Sequence, residues 1–287
     1  MENKLSTIQF IHPGGEHIPD NDVEIGWNTG DHKRKFMKGR GKYIRNGTFH
    51  EDNLIFWGEW EPQSTVIEQY PPSTNHEPNY LYSPYYKDPN DKRWKQNSDP
   101  FVFGDNFFYS NCKQSSAKRV NQMRYLKLGS LILFGSCIDK KSFVIDTVFV
   151  VDNFMDFHTD HVEKLQDLVP KEFYDVTLTQ LSSKMTCSGE NKAAPLDLRL
   201  YKGATYDKPV NGMFSFFPAL PYEKGIKFAR PIITLPGIIT DNLTQGYKLT
   251  IEPNIKDIKT TWDSVVKHLY NQNLALGISV EMPREDY

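Results

Sequence analysis

Cysteine is scarce in this chain. Cys112, Cys137 and Cys187 are three thiols in 287 residues, too few and too widely spaced for a disulfide framework. No CxxC is present, which argues against a cysteine-based zinc site. Long apolar runs are missing too. Nothing approaches the roughly 20 residues that a bilayer-crossing helix needs. The opening stretch MENKLSTIQFIHPGGEH has no apolar h-region, so secretion is not indicated. These absences predict a cytoplasmic protein with no membrane partner. There is no internal repeat and no low-complexity tract. Net charge is nearly absent at −2, so basic charge matters only where it is concentrated.

It is concentrated in residues 31–45, DHKRKFMKGRGKYIR. Seven Lys or Arg stand there against one Asp, a local net charge of +6. Lys33, Arg34, Lys35, Lys38, Arg40 and Lys42 are the candidate phosphate contacts. Gly39 and Gly41 would let backbone N–H groups approach an anion, and aromatic faces stack on bases. Trp57 and Trp60 are the candidate stacking surfaces, with tyrosines of residues 70–86. The expected partner is nucleic acid or a nucleotide. The competing expectation is a solvated basic face paired with the acidic remainder of the chain.

Two further groups carry acid–base or ligand chemistry. His12-Pro13-Gly14-Gly15-Glu16-His17 places two imidazoles and a carboxylate within six residues, and His32 would add a third imidazole. Pro-Gly-Gly prevents a helix from gathering them on one face, so a loop would have to. Glu59 and Glu61 flank Trp60 and, in an alternating strand, share a side. Paired carboxylates suit a divalent metal or general acid–base work. Cofactor and metal identity stay open, a divalent metal being the one these groups suggest. His12, Glu16, His17, His32, Glu59 and Glu61 are therefore the candidate catalytic set of a phosphodiesterase or nuclease-type hydrolase. A protein-interaction module using residues 62–100, rich in Pro and Tyr, is the third possibility.

The chain is long enough to bury a sizeable core, and 15 Tyr, 18 Phe and 18 Pro favour β structure with many turns. Residues 5–11, 53–60, 129–136 and 142–151 read as strands, the last two as a hairpin. Residues 196–201, 212–217, 231–235, 247–251 and 274–280 are further strands. Residues 20–53 read as polar loop with one helical turn at 32–38, and residues 62–100 as a long irregular excursion. Residues 153–175 turn helical, with Asp160 at the start. Residues 261–271 carry an amphipathic helix on Trp262, Val265, Val266, Leu269 and Tyr270.

The hairpin GSLILFGS…SFVIDTVFVVD, with Arg124-Tyr125-Leu126-Lys127-Leu128 before it, resembles the apolar hairpin of PUA-like barrels, the superfamily of the ASCH and EVE domains. The resemblance spans residues 124–152. It implies a small β-barrel of a kind that binds RNA or modified bases, and transfers no site residue. The expected fold is α+β: a PUA-like β-barrel N-terminal half, residues 1–152, with a mixed α/β C-terminal half, residues 153–287. The boundary could equally lie inside one domain, and the oligomeric state is open.

Overall fold

The computed structural model describes residues 2–12, 14–19, 33–72, 76–86, 97–116, 119–138, 142–181, 195–240 and 246–285. The strands among them, in chain order, are β1 Ser6–His12, β2 Lys35–Arg45, β3 Thr48–Gly58, β4 Ser64–Gln69, β5 Tyr80–Tyr86, β6 Phe108–Tyr109, β7 Ser115–Ser116 and β8 Arg119–Val120. They continue with β9 Leu131–Ile138, β10 Ser142–His158, β11 Asp197–Gly203, β12 Phe217–Pro221, β13 Tyr247–Ile251, β14 Ala275–Val280 and β15 Arg284–Glu285. The fold is α+β and mostly sheet.

One mixed sheet has the order β13-β1-β9-β10-β11-β6. Its path is open, and a PUA-like barrel is not evident in it. The expected hairpin is present: β9 and β10 pair antiparallel, each carrying short apolar stretches, Leu131–Phe134 in the first and Phe143–Ile145 and Val148–Val151 in the second. β1 lies parallel to β9 and antiparallel to β13, and all seven of its residues are buried. Ile8 and Phe10 face one core cluster and Ile11 the other, as a central strand requires. The second core is closed by the helix Ile255–Asn271 through Ile258, Trp262, Val265 and Leu269. That helix starts six residues before its expected position, because Asn254 caps it by accepting from Lys256 N and Asp257 N.

The other sheet has the order β14-β12-β3-β2-β5-β15; β4 pairs with β5, and β14 also pairs with β2. Here three expectations are corrected. The basic segment is not a loop with a helical turn. Residues 35–45 form a long strand, because the Asn46-Gly47 turn folds it back on β3. Residues 62–100 contain β4 and β5 rather than a wholly irregular excursion. Gly39 and Gly41 serve packing. A Cβ on Gly41 would lie 2.3 Å from Ser279 O, and one on Gly39 2.5 Å from Val280 Cγ2, so both positions are kept bare for β14.

β10 runs to His158, through the expected boundary at 152/153, and both sheets draw strands from each side of it. The two halves therefore share their sheets. 3-10 turns over Thr159–Leu168, kinked at His161, follow directly, and the cap is His158, whose Nδ1 accepts from Asp160 N, rather than Asp160. No helix among the described residues is long and apolar enough to cross a membrane.

Candidate functional site

The site begins at the open end of the β2–β3 hairpin. Asn46 and Gly47 both take positive φ, 51° and 77°, and this two-residue turn pairs Arg45 with Thr48 and, in unbroken register, Lys35 with Gly58. One step beyond, Arg34 meets Glu59, with Nη1 3.1 Å from Oε2. Glu59 Oε2 is also 3.6 Å from His12 Nδ1, at the end of β1. Arg34 Nε donates to Asp146 Oδ2 at 3.1 Å. Asp146 stands where the β9–β10 register shifts between Ile145 and Thr147. Such a bulge re-aims a side chain, and here it turns a carboxylate inward.

Asp146 Oδ2 lies 3.7 Å from Arg230 Nη1, which donates to Ser136 Oγ. Ser136 is the parallel-strand register partner of His12. The contacts thus run in series through His12, Glu59, Arg34, Asp146, Arg230 and Ser136, and the strand register sets Ser136 beside His12, so the six together are called the ring. None of the six is more than 7% exposed. Two guanidinium groups, two carboxylates, an imidazole and a hydroxyl from separate parts of the chain are gathered there.

Neighbouring groups hold the ring in place. Asn97 Nδ2 donates to Glu59 Oε1 at 3.0 Å, and Ser98 Oγ to Glu59 O at 2.7 Å. Arg230 Nη2 donates to Gly14 O at 3.2 Å, and its guanidinium lies 5.3 Å from the Trp57 ring centre. Burial works against the Arg34 charge, yet Glu59 and Asp146 outweigh it and raise its pKa. Burial lowers the pKa of Arg230, against the pull of Asp146, and the nearby Arg34 charge lowers it further. Asp146 Oδ1 and Asn97 Oδ1 are buried and, among the described residues, accept no hydrogen bond. Leaving a buried polar atom so costs about 1–3 kcal/mol, and desolvating an ion costs several more. Apolar packing would stabilise this interior better, which makes the ring a functional candidate.

The sequence-predicted residues divide sharply. His12, Arg34 and Glu59 enter the ring. Glu16 does not: its carboxylate accepts from Asn79 N, Asn79 Nδ2 and Tyr80 N at 2.7, 2.6 and 3.0 Å. His17 packs on Tyr82 at 5.7 Å, while its N–H donates to Arg34 O at 2.7 Å. The Gly14–His17 stretch therefore clamps the backbone of Arg34. His32 lies outside the described residues. Glu61 is buried beside Lys35. Lys35 Nζ donates to Pro62 O at 2.5 Å and Ser64 Oγ at 3.0 Å, and burial lowers its pKa to about 7 against the opposing charge of Glu61.

Surface phosphate contact is corrected for Arg34 and Lys35, both buried under β-sheet packing. Lys38 sits over the Tyr222 ring at 3.7 Å, Arg40 pairs with Glu51 at 3.0 Å, and Lys42 lies 3.9 Å from Asp105. Lys33 is half-buried. Several cations of the +6 segment thus have acidic neighbours, though Arg34 and Lys35 meet theirs in the interior and not on a solvated face. Stacking by Trp57 and Trp60 is corrected as well. Both are buried, and their Nε1 groups donate to Phe228 O and Gln63 O. Burial, then the charges of Asp99, Glu59 and Glu61, push the Cys112 thiol pKa well up. Among the described residues no group of three His, Cys, Asp or Glu is placed to hold a metal ion.

Asp146, Arg230 and Ser136 were missed. Arg34–Glu59 had a signal: counting back along both strands from Asn46-Gly47 sets them opposite each other. Asp146, a lone acid in an apolar strand, was a second. No family model, curated protein or solved structure matches the chain.

Proposed function

We propose that the protein is a hydrolase of phosphate esters of the nucleotide or nucleic-acid class, with its chemistry in the buried ring. The observation that carries this reading is the His12 Nδ1–Glu59 Oε2 approach of 3.6 Å inside a cluster that also holds two guanidinium groups. An imidazole oriented by a carboxylate is the usual proton carrier of hydrolysis. Guanidinium forks suit the oxygens of a phosphoryl group. Arg34 links the ring to the basic segment that suggested a phosphate ligand. The full chain is to be assayed against bis(p-nitrophenyl) phosphate, nucleoside monophosphates, cyclic nucleotides and short single-stranded oligonucleotides. Turnover by the wild type, lost about 100-fold or more in Arg34→Lys, is expected. Absence of turnover on every phosphate ester overturns the reading.

A second reading, nucleic-acid recognition, is favoured by one surface feature. A cleft of about 540 Å³ is lined by Lys42, Lys202 and Lys208, with Phe49 and Tyr206 exposed in it. Cations beside exposed rings suit single strands, and Asp105, Asp152 and Asp207 in the same cleft moderate the attraction. Replacing the three lysines by Ala should weaken oligonucleotide binding and flatten its log-salt slope by roughly 2. An unchanged slope removes this reading.

A further inference from the structure

We propose that Ser136 is the nucleophile of this site, with His12 as its base and Glu59 as the positioning residue. The inference rests on the hydrolase reading above and deepens it. Three observations carry it, none of them from the local sequence. Ser136 and His12 are register partners in the parallel β1–β9 pair. Register partners project to the same face of a sheet, about 5 Å apart between strands. His12 Nδ1 is the nitrogen turned to Glu59, at 3.6 Å. With Nδ1 on the Glu59 side, Nε2 is the nitrogen assigned here to take the serine's proton, the division of roles found where a carboxylate orients an imidazole base. Arg230 Nη1 donates to Ser136 Oγ. A cationic donor on that oxygen favours its deprotonated form and lies ready for the oxygens of a phosphoryl group.

The reaction balances with water as the only co-substrate. Ser136 Oγ bonds to phosphorus as its proton passes to His12. The bond from phosphorus to the leaving oxygen breaks, and that oxygen takes the proton from His12. Water then attacks the phosphoserine, giving a proton to His12. The phosphorus–Oγ bond breaks, and Oγ recovers that proton. Arg230 stays on Oγ and the phosphoryl oxygens throughout. Asp146 and Arg34 hold Arg230 and Glu59 at their stations.

The test uses the full chain and a tagged fluorophosphonate, which phosphonylates activated serines. Wild-type protein is labelled and digested, and the modified peptide is identified by mass spectrometry. Modification at Ser136 is expected, with loss of bis(p-nitrophenyl) phosphate turnover in proportion. Ser136→Ala should lose turnover by at least about 10³-fold. Ser142→Ala, at the start of β10 and outside the ring, should keep it. Glu59→Gln should move the pH–rate profile, which a purely structural role in folding would not do. Because Ser136→Ala removes a buried acceptor, the wild-type labelling stands as the measurement that needs no variant. Turnover with no label on Ser136, or turnover that persists in Ser136→Ala, overturns the nucleophile and leaves a water-attack hydrolase standing. Label on Ser136 with hydrolysis of p-nitrophenyl acetate but of no phosphate ester overturns phosphoryl transfer. Neither label nor turnover overturns this proposal and the hydrolase reading together.

Discussion

Replacing Lys35 by Met should change how stability depends on pH. Lys35 is buried, and its folded-state pKa falls from 10.5 to about 7, chiefly through desolvation. In the unfolded chain the amine keeps its proton up to about pH 10.4. Between these values the unfolded state binds more protons than the folded state, so wild-type stability rises with pH across that window. The full effect is about 5 kcal/mol, from 1.36 kcal/mol per pKa unit. Lys35→Met lacks this contribution. It also loses the bonds to Pro62 O and Ser64 Oγ, a change that does not vary with pH below 7. The advantage of Met over Lys should therefore shrink by about 1.4 kcal/mol per pH unit between pH 7.5 and 9.5. Raised thiol and phenol pKa values, such as those of Cys112 and Tyr109, oppose the slope in both proteins and cancel in the difference. Urea unfolding at pH 6, 7.5, 8.5 and 9.5 measures it. Parallel stability curves for the two proteins would refute the reasoning.

Two other predictions test the frame around the site. Gly41→Ala should destabilise by about 1–3 kcal/mol, because the new methyl would meet the backbone oxygen of Ser279, while Gly39→Ala should cost less, its obstacle being the Val280 side chain. Thermal unfolding compares them, and equal, negligible shifts would contradict the account of the β2–β14 contact. Cys112 should resist iodoacetamide at pH 8 in the native protein and react at the free-thiol rate once unfolded. Native reactivity equal to that of the unfolded chain would show that the thiol is not held protonated by its surroundings.

What could be read from residues alone was uneven, for physical reasons. The β9–β10 hairpin and the last helix were legible because strand-length apolar stretches and a 3.6-residue stripe dominate local choice. β2 was not. Its charges and glycines resemble a loop, and only the Asn46-Gly47 turn argued for a strand. The glycines invited an anion, whereas their purpose is room for a neighbouring strand. His12 and Glu59 were singled out in separate motifs, and the structure brings them together. Ser136, Asp146 and Arg230 carry no motif, and Arg34 and Asp146, which bond directly, are 112 residues apart in sequence. Such long-range convergence leaves no local pattern.

The central claim is that the ring performs chemistry rather than only holding the two sheets together. The most direct measurement is turnover of bis(p-nitrophenyl) phosphate per folded molecule in Asp146→Asn, with the folded fraction fixed by circular dichroism. Asn keeps the shape of Asp146 and removes the charge that Arg34 and Arg230 share. The account predicts a folded protein whose turnover falls about 100-fold, because both guanidinium groups lose their anchor. A protein that loses stability while each folded molecule turns over at the wild-type rate would contradict it and leave the ring a structural ion network.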